Sequence, residues 1–169
     1  MAVVSSQAEQ AGDEVGGTET PSTLYLVKRL ELVIRALLDD ALRPLGLTTQ
    51  QYTALTVLQA RGALSSAQLA RRSFLRAQTM HEMVLALEQR GLIARAVQAG
   101  NKRVLLATLT DAGQALLADC LPAVAELESA LLVDLSPGQR TTFREGLEHG
   151  VTALAALSET RRPTARSRD

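Results

Sequence analysis

Cysteine, histidine and aromatic side chains are scarce in this chain of 169 residues, and tryptophan is absent. A single cysteine, Cys120, excludes an intrachain disulfide framework and a cysteine-built zinc site. The two histidines, His81 and His149, stand 68 residues apart and leave little for a histidine-based metal cluster. The four aromatics are Tyr25, Tyr52, Phe74 and Phe143, too few for an aromatic-rich sandwich or barrel. There is no apolar run approaching the roughly 18 residues of a membrane span. The first 21 residues have neither a basic start nor a compact apolar stretch, so no secretory leader is expected and the protein reads as cytoplasmic. Also missing are a Ser/His/Asp or Cys/His arrangement, a glycine-rich phosphate loop and metal-spaced ligands. Neither an enzyme nor a cofactor is expected.

Helix formers are abundant. Alanine (26) and leucine (30) supply a third of the chain and favour a mainly α fold. The formal charge is zero, yet the charges are segregated. Residues 61–103 hold eight lysines and arginines against only Glu82 and Glu88, a local net of +6. The remainder carries ten basic and sixteen acidic side chains, a net of −6. Such a basic block is the electrostatic footprint of a polyanion-binding surface.

Helical spacing organises most of the chain. Residues 1–21 read as a flexible tail, rich in Gly, Ser, Glu and Gln. A first helix over about 22–43 places Val27, Leu30, Ile34, Leu37, Ala41 and Leu45 on one face. Further leucines and valines widen its apolar surface to two sides, which calls for two partners, one of them another subunit. Pro44 and Gly46 end it. Thr48 with Gln51 and Ser65 with Gln68 have capping-box spacing and open helices over about 49–61 and 66–73. A fourth helix over about 77–90 turns Met80, Met83, Val84 and Leu87 inward, and Gly91 caps it. The period then changes to strand alternation at Ile93–Val97, a turn over 98–102, and a second strand at Val104–Leu109. Helices resume at Thr110, with Pro122 inside the run, and a last helix follows the cap Ser136-Pro137-Gly138-Gln139. Residues 159–169 read as a second flexible tail.

Three helices, a recognition-length helix and a basic hairpin in one block make a winged helix-turn-helix arrangement. In it, a helix is carried into the major groove of duplex DNA while the hairpin reaches the backbone or minor groove. Gln78, Thr79, His81 and Glu82 lie on the outward face of that helix, where base edges would be met. Arg71, Arg72 and Arg76 flank the turn before it and suit phosphates. Lys102 and Arg103 sit at the hairpin tip, with Arg95 on the opposite strand, and suit a narrow electronegative groove. Arg90, farther from the helix start, reads as half of a local ion pair.

Three stretches resemble the MarR (multiple antibiotic resistance regulator) transcription factors: LGLTTQQYTALTVL (45–58), SSAQLARRSFLRAQTMHEMVLALEQRGLIAR (65–95) and NKRVLLATLTDAG (101–113). The resemblance covers roughly 24–157. It implies a winged helix-turn-helix region over 47–109, with a dimerisation domain formed by the helices of 22–46 and 110–158. It further implies a homodimer on a pseudo-palindromic operator, acting as a repressor released by a small aromatic or lipophilic effector. Such an effector would bind between the first two helices and the long helix after the wing, where Tyr25, Arg29 and Tyr52 offer hydroxyls and a cation. The chain departs from the family pattern at two places. Asn101-Lys102-Arg103 replaces Asp-Arg-Arg in the wing, and His81-Glu82 replaces Thr-Arg in the recognition helix. The alternative reading is a winged-helix protein-interaction or structural module without specific operator binding.

Overall fold

The computed structural model describes residues 20–161. Residues 1–19 and 162–169, most of the two expected tails, lie outside the described residues. The first helix, α1 (Thr23–Leu42), starts where Ser22 accepts from the Tyr25 amide and passes through a short 3-10 turn (Arg43–Leu45) into Gly46. Gly46 has φ +68°, which glycine adopts without strain. Next come α2 (Thr49–Arg61), β1 (Leu64–Ser65), α3 (Ser66–Arg72) and α4 (Ala77–Gln89). The wing strands are β2 (Ile93–Gln98) and β3 (Asn101–Leu109), followed by α5 (Asp111–Leu131) and α6 (Pro137–Arg161). The architecture is mainly α with a small antiparallel sheet of order β1-β3-β2.

Capping chemistry explains the helix starts. Both capping boxes of α2 and α3 are closed, Thr48 with Gln51 and Ser65 with Gln68. Ser136 and Gln139 exchange the same pair of bonds before α6, at 2.9 and 3.4 Å. The core gathers Leu42, Leu55, Leu58, Leu69, Met80, Val84, Leu87, Ile93 and Cys120, all almost wholly buried. Each leucine sealed there contributes about 2 kcal/mol of hydrophobic stabilisation.

Four details differ from the sequence expectation. The hairpin turn is only Ala99-Gly100, because β2 and β3 continue to Gln98 and Asn101 across a register shift after Val97. The two-residue β1 adds a third strand, pairing Leu64 with Ala107 and Ser65 with Leu106. On α5 the helical spacing of the sequence sets Leu117, Leu121 and Val124 on one side, but the inward position belongs to Cys120, and Leu121 is 62% exposed. Finally, α6 runs on to Arg161, past the boundary expected at residue 158.

The start of α5 docks against the turn after α4. Thr110 donates through Oγ1 to the Gly91 carbonyl at 2.6 Å and accepts from the Gly113 amide at 3.1 Å. A Cβ on Gly113 would fall 2.1 Å from the Leu92 carbonyl oxygen, a backbone atom held by the Thr110 amide. Gly113→Ala is therefore expected to destabilise by about 3 kcal/mol, read as a lowered urea midpoint at unchanged slope.

Candidate nucleic-acid interface and the adjoining cleft

The α4 helix is amphipathic at the spacing its sequence dictates. Met80, Met83, Val84 and Leu87 are buried, which leaves Gln78, Thr79, His81 and Glu82 exposed on the opposite side. The Gln78 amide donates to Glu82 Oε1 at 3.3 Å, so this carboxylate is engaged by its own helix and, among the described residues, by no arginine. Arg76 occupies the N-cap with extended backbone (ψ 146°) and makes no side-chain cap. The first amides of α4 thus keep their positive dipole end open toward an anion.

The cations divide sharply. Between residues 20 and 160, the lysines and arginines outside the basic block are engaged. Lys28, Arg35, Arg43 and Arg144 pair with acids, Arg29 lies over the Tyr25 ring, and Arg140 donates to the Leu135 carbonyl. Inside the block, Arg71, Arg72 and Arg76 at the α3–α4 turn and Lys102 and Arg103 at the wing tip are exposed. Among the described residues no acidic side chain pairs with any of these five.

Two arginines of the block are structural instead. Arg95 does not extend from the wing: its guanidinium holds Glu88 of α4 at 2.5 and 2.8 Å, with side chains 18% and 34% exposed. This pair fixes the wing against the recognition helix. Among the described residues Arg90 forms no ion pair; its Nη1 donates to the Gly46 carbonyl at 2.8 Å, 44 residues away, and ties the end of α4 to the turn that follows α1. Asn101 serves the wing backbone, accepting from the Arg103 amide at 3.1 Å. A neutral amide thereby shapes the tip without drawing a cation inward.

The Arg95 hydrogen bond is the chief cause holding the Glu88 carboxyl below its usual value of 4.5. A carboxylate depressed by folding stabilises above the unfolded value and loses that contribution as pH falls through the folded one. Wild type should therefore exceed Arg95→Met in urea stability at neutral pH, with the gap closing progressively below about pH 4.5. A gap independent of pH would mean that Arg95 acts by packing alone.

A cleft of about 460 Å³ opens beside this surface. Its walls are Val27, Leu30, Glu31, Ile34, Arg35 and Leu38 of α1, Thr49, Gln50 and Thr53 of α2, the Ser73-Phe74-Leu75 turn, and Leu147 of α6. The expected ligand residues are elsewhere: Tyr25 and Arg29 stack on each other toward the start of α1, and Tyr52 packs against the core. None of the three lines the cleft, because the α1 face that meets α2 is the Leu30, Ile34, Leu38 face. Asp39 anchors that junction, accepting from the Thr49 amide and hydroxyl at 2.8 and 2.7 Å, which holds its carboxyl below the ordinary range.

Other chemistry is sparse. Cys120 is buried, donates to the Leu116 carbonyl at 3.1 Å, and has its thiol pushed up by burial, the state of an unreactive core cysteine. Among the described residues no group of three or more His, Cys, Asp or Glu side chains could hold a metal ion. No described helix is long and apolar enough to cross a membrane.

The geometry agrees with known proteins. Residues 45–104 match the MarR family profile. The HTH-type transcriptional repressor Rv2887 of Mycobacterium tuberculosis is 36% identical over 124 residues, 73% of this chain and 89% of that protein. The crystal structure of Rv2887 with salicylic acid superposes with a TM-score of 0.64 at 34% identity, covering 78% of this chain and 97% of that one. Apo MarR from E. coli shares the fold at a TM-score of 0.69 and 22% identity, covering 78% of this chain and 98% of that chain. With a winged helix-turn-helix in place and a relative this similar over most of both sequences, the chain belongs to the MarR family of transcriptional regulators.

Proposed function

We propose that this regulator is a repressor that binds a pseudo-palindromic DNA operator as a homodimer and is released by a small aromatic acid. The observation that carries the DNA reading is the contrast among cations. Between residues 20 and 160 the lysines and arginines outside the basic block are engaged, whereas Arg71, Arg72 and Arg76 before α4 and Lys102 and Arg103 at the wing tip are exposed and pair with no acidic side chain among the described residues. Free cations on one side release counterions from a duplex. In this reading residues 47–109 form the DNA-binding region, and Gln78, Thr79 and His81 read bases from the major groove. Glu82 orients Gln78, and Arg95 positions the wing through Glu88. Operator binding also places the work of the protein in the cytoplasm.

Residues 22–46 and 110–158 supply the dimer. The α1 helix exposes Leu24, Leu26, Val27, Leu32, Val33 and Leu37, and α6 exposes Leu147, Val151, Leu154 and Leu157. Among the described residues, no element of the same chain packs closely along α6. A second copy covers both stripes at once.

The effector reading rests on the cleft. Its α1 wall is Val27, Leu30, Ile34 and Leu38 with the Arg35–Glu31 ion pair among them, and it suits a flat molecule whose one anionic group competes with Glu31 for the Arg35 guanidinium. The relative Rv2887 has been crystallised with salicylic acid and with p-aminosalicylic acid. Selection of bound duplexes from a random pool, followed by titration with salt and then salicylate, tests the proposal. An enriched inverted repeat, steep salt dependence and release by salicylate are expected. A pool left unenriched would favour the protein-interaction module, and enrichment without release would remove the aromatic acid only.

A further inference from the structure

Two anomalies fall on adjacent residues. Among the described residues, Phe74 is the one non-glycine with positive φ, at +54°. Its neighbour Ser73 carries the one buried side-chain polar atom without a hydrogen-bond partner, its hydroxyl oxygen. Both stand in the turn between α3 and the recognition helix α4, and both line the cleft.

The turn is unfavourable as it stands. The other left-handed positions, 46, 62, 91 and 100, are all glycine, so this chain uses glycine where a turn needs only its geometry. An L side chain in that conformation crowds its own carbonyl, and a buried hydroxyl without a partner has lost its water for nothing. The bonds from the Phe74 amide to the Arg71 carbonyl (3.4 Å) and from the Leu75 amide to the Ala70 carbonyl (2.9 Å) close α3 and hold this turn, while the Phe74 ring, 69% exposed, adds little packing to offset its strain. Strain held by an exposed ring beside a cavity marks a segment with a second conformation close in energy.

We propose that Ser73-Phe74 is the two-position switch between the cleft and the recognition helix. A small aromatic acid in the cleft gives the Ser73 hydroxyl its missing partner and lets Phe74 leave the left-handed region. The chain reaches the N-cap of α4 two residues later, at Arg76, so a change of φ at Phe74 redirects the start of α4 and the free cations beside it. The ligand shifts the equilibrium because it favours one turn conformation. This inference rests on reading the cleft as the effector site.

Phe74→Gly relieves the strain and Ser73→Ala removes the orphaned hydroxyl, so both variants should melt at or above the wild-type temperature. Salicylate is the probe, with its affinity measured by calorimetry and DNA affinity measured with and without it. For wild type the salicylate effect on DNA affinity should fall within the usual roughly 5–150-fold range of allosteric coupling. For Phe74→Gly, whose ring is also part of the cleft wall, the coupling read at saturating salicylate should fall below about twofold. Ser73→Ala should weaken salicylate severalfold. Undiminished coupling in Phe74→Gly, or a lowered melting temperature in Ser73→Ala, overturns the switch. If salicylate fails to bind wild type, the aromatic-acid reading falls, and ligand-free amide exchange decides the switch. Exchange at residues 75–80 slowed roughly threefold by Phe74→Gly supports it, and unchanged exchange refutes it.

Discussion

Leu154→Glu is expected to leave the protein monomeric at low micromolar concentration and to weaken binding to a two-half-site operator by roughly 10²–10⁴-fold. Leu154 is 57% exposed on α6, between Val151 and Leu157 on the same apolar stripe. Within one chain a glutamate there remains in water and costs the fold little. Across a dimer interface it would leave an unpaired charge in a dry seam, which is strongly unfavourable. The loss on DNA follows from linkage, because the second half-site is engaged at the high effective concentration set by the first. Sedimentation gives the mass and a binding titration gives the affinity. A Leu154→Glu protein that still sediments as a dimer would place the interface elsewhere.

Removal of the wing cations should act on all duplexes alike. Lys102 and Arg103 follow the Ala99-Gly100 turn, are exposed, and are not drawn inward by any carboxylate among the described residues. Lys102→Ala with Arg103→Ala should weaken operator and random duplex together, on the order of tenfold. The slope of log affinity against log salt should shrink by about 0.9 for each phosphate no longer neutralised. Arg95→Ala provides the contrast. Its charge is already spent on Glu88, so the slope should change little while the wing loses its brace. An unchanged slope for the double variant, with the fold intact, would show that the wing points away from DNA.

Much of this molecule was legible in local spacing. The three capping boxes join residues three apart, so Thr48-Gln51, Ser65-Gln68 and Ser136-Gln139 could be read directly and all are present. The buried side of α4 follows from the helical period, which also determines that Gln78, Thr79, His81 and Glu82 face outward. Segregation of charge into residues 61–103 is likewise a property of order along the chain.

Tertiary structure decided the rest, wherever the partner lies far along the chain or depends on how elements are set against each other. The two residues of β1 are a strand only because β3 passes beside them. Arg90 finds the Gly46 carbonyl 44 residues away, and Arg95 turns to Glu88 because the wing folds back over α4. The cleft is bounded by the Ser73-Phe74 turn and Leu147 rather than by Tyr25, Arg29 and Tyr52, since the angle at which α1 meets α2 selects its walls. Side-chain spacing records which residues share a face of one element. Rigid placement of several elements decides which faces meet, and so which cations remain free and which hydroxyl has no partner.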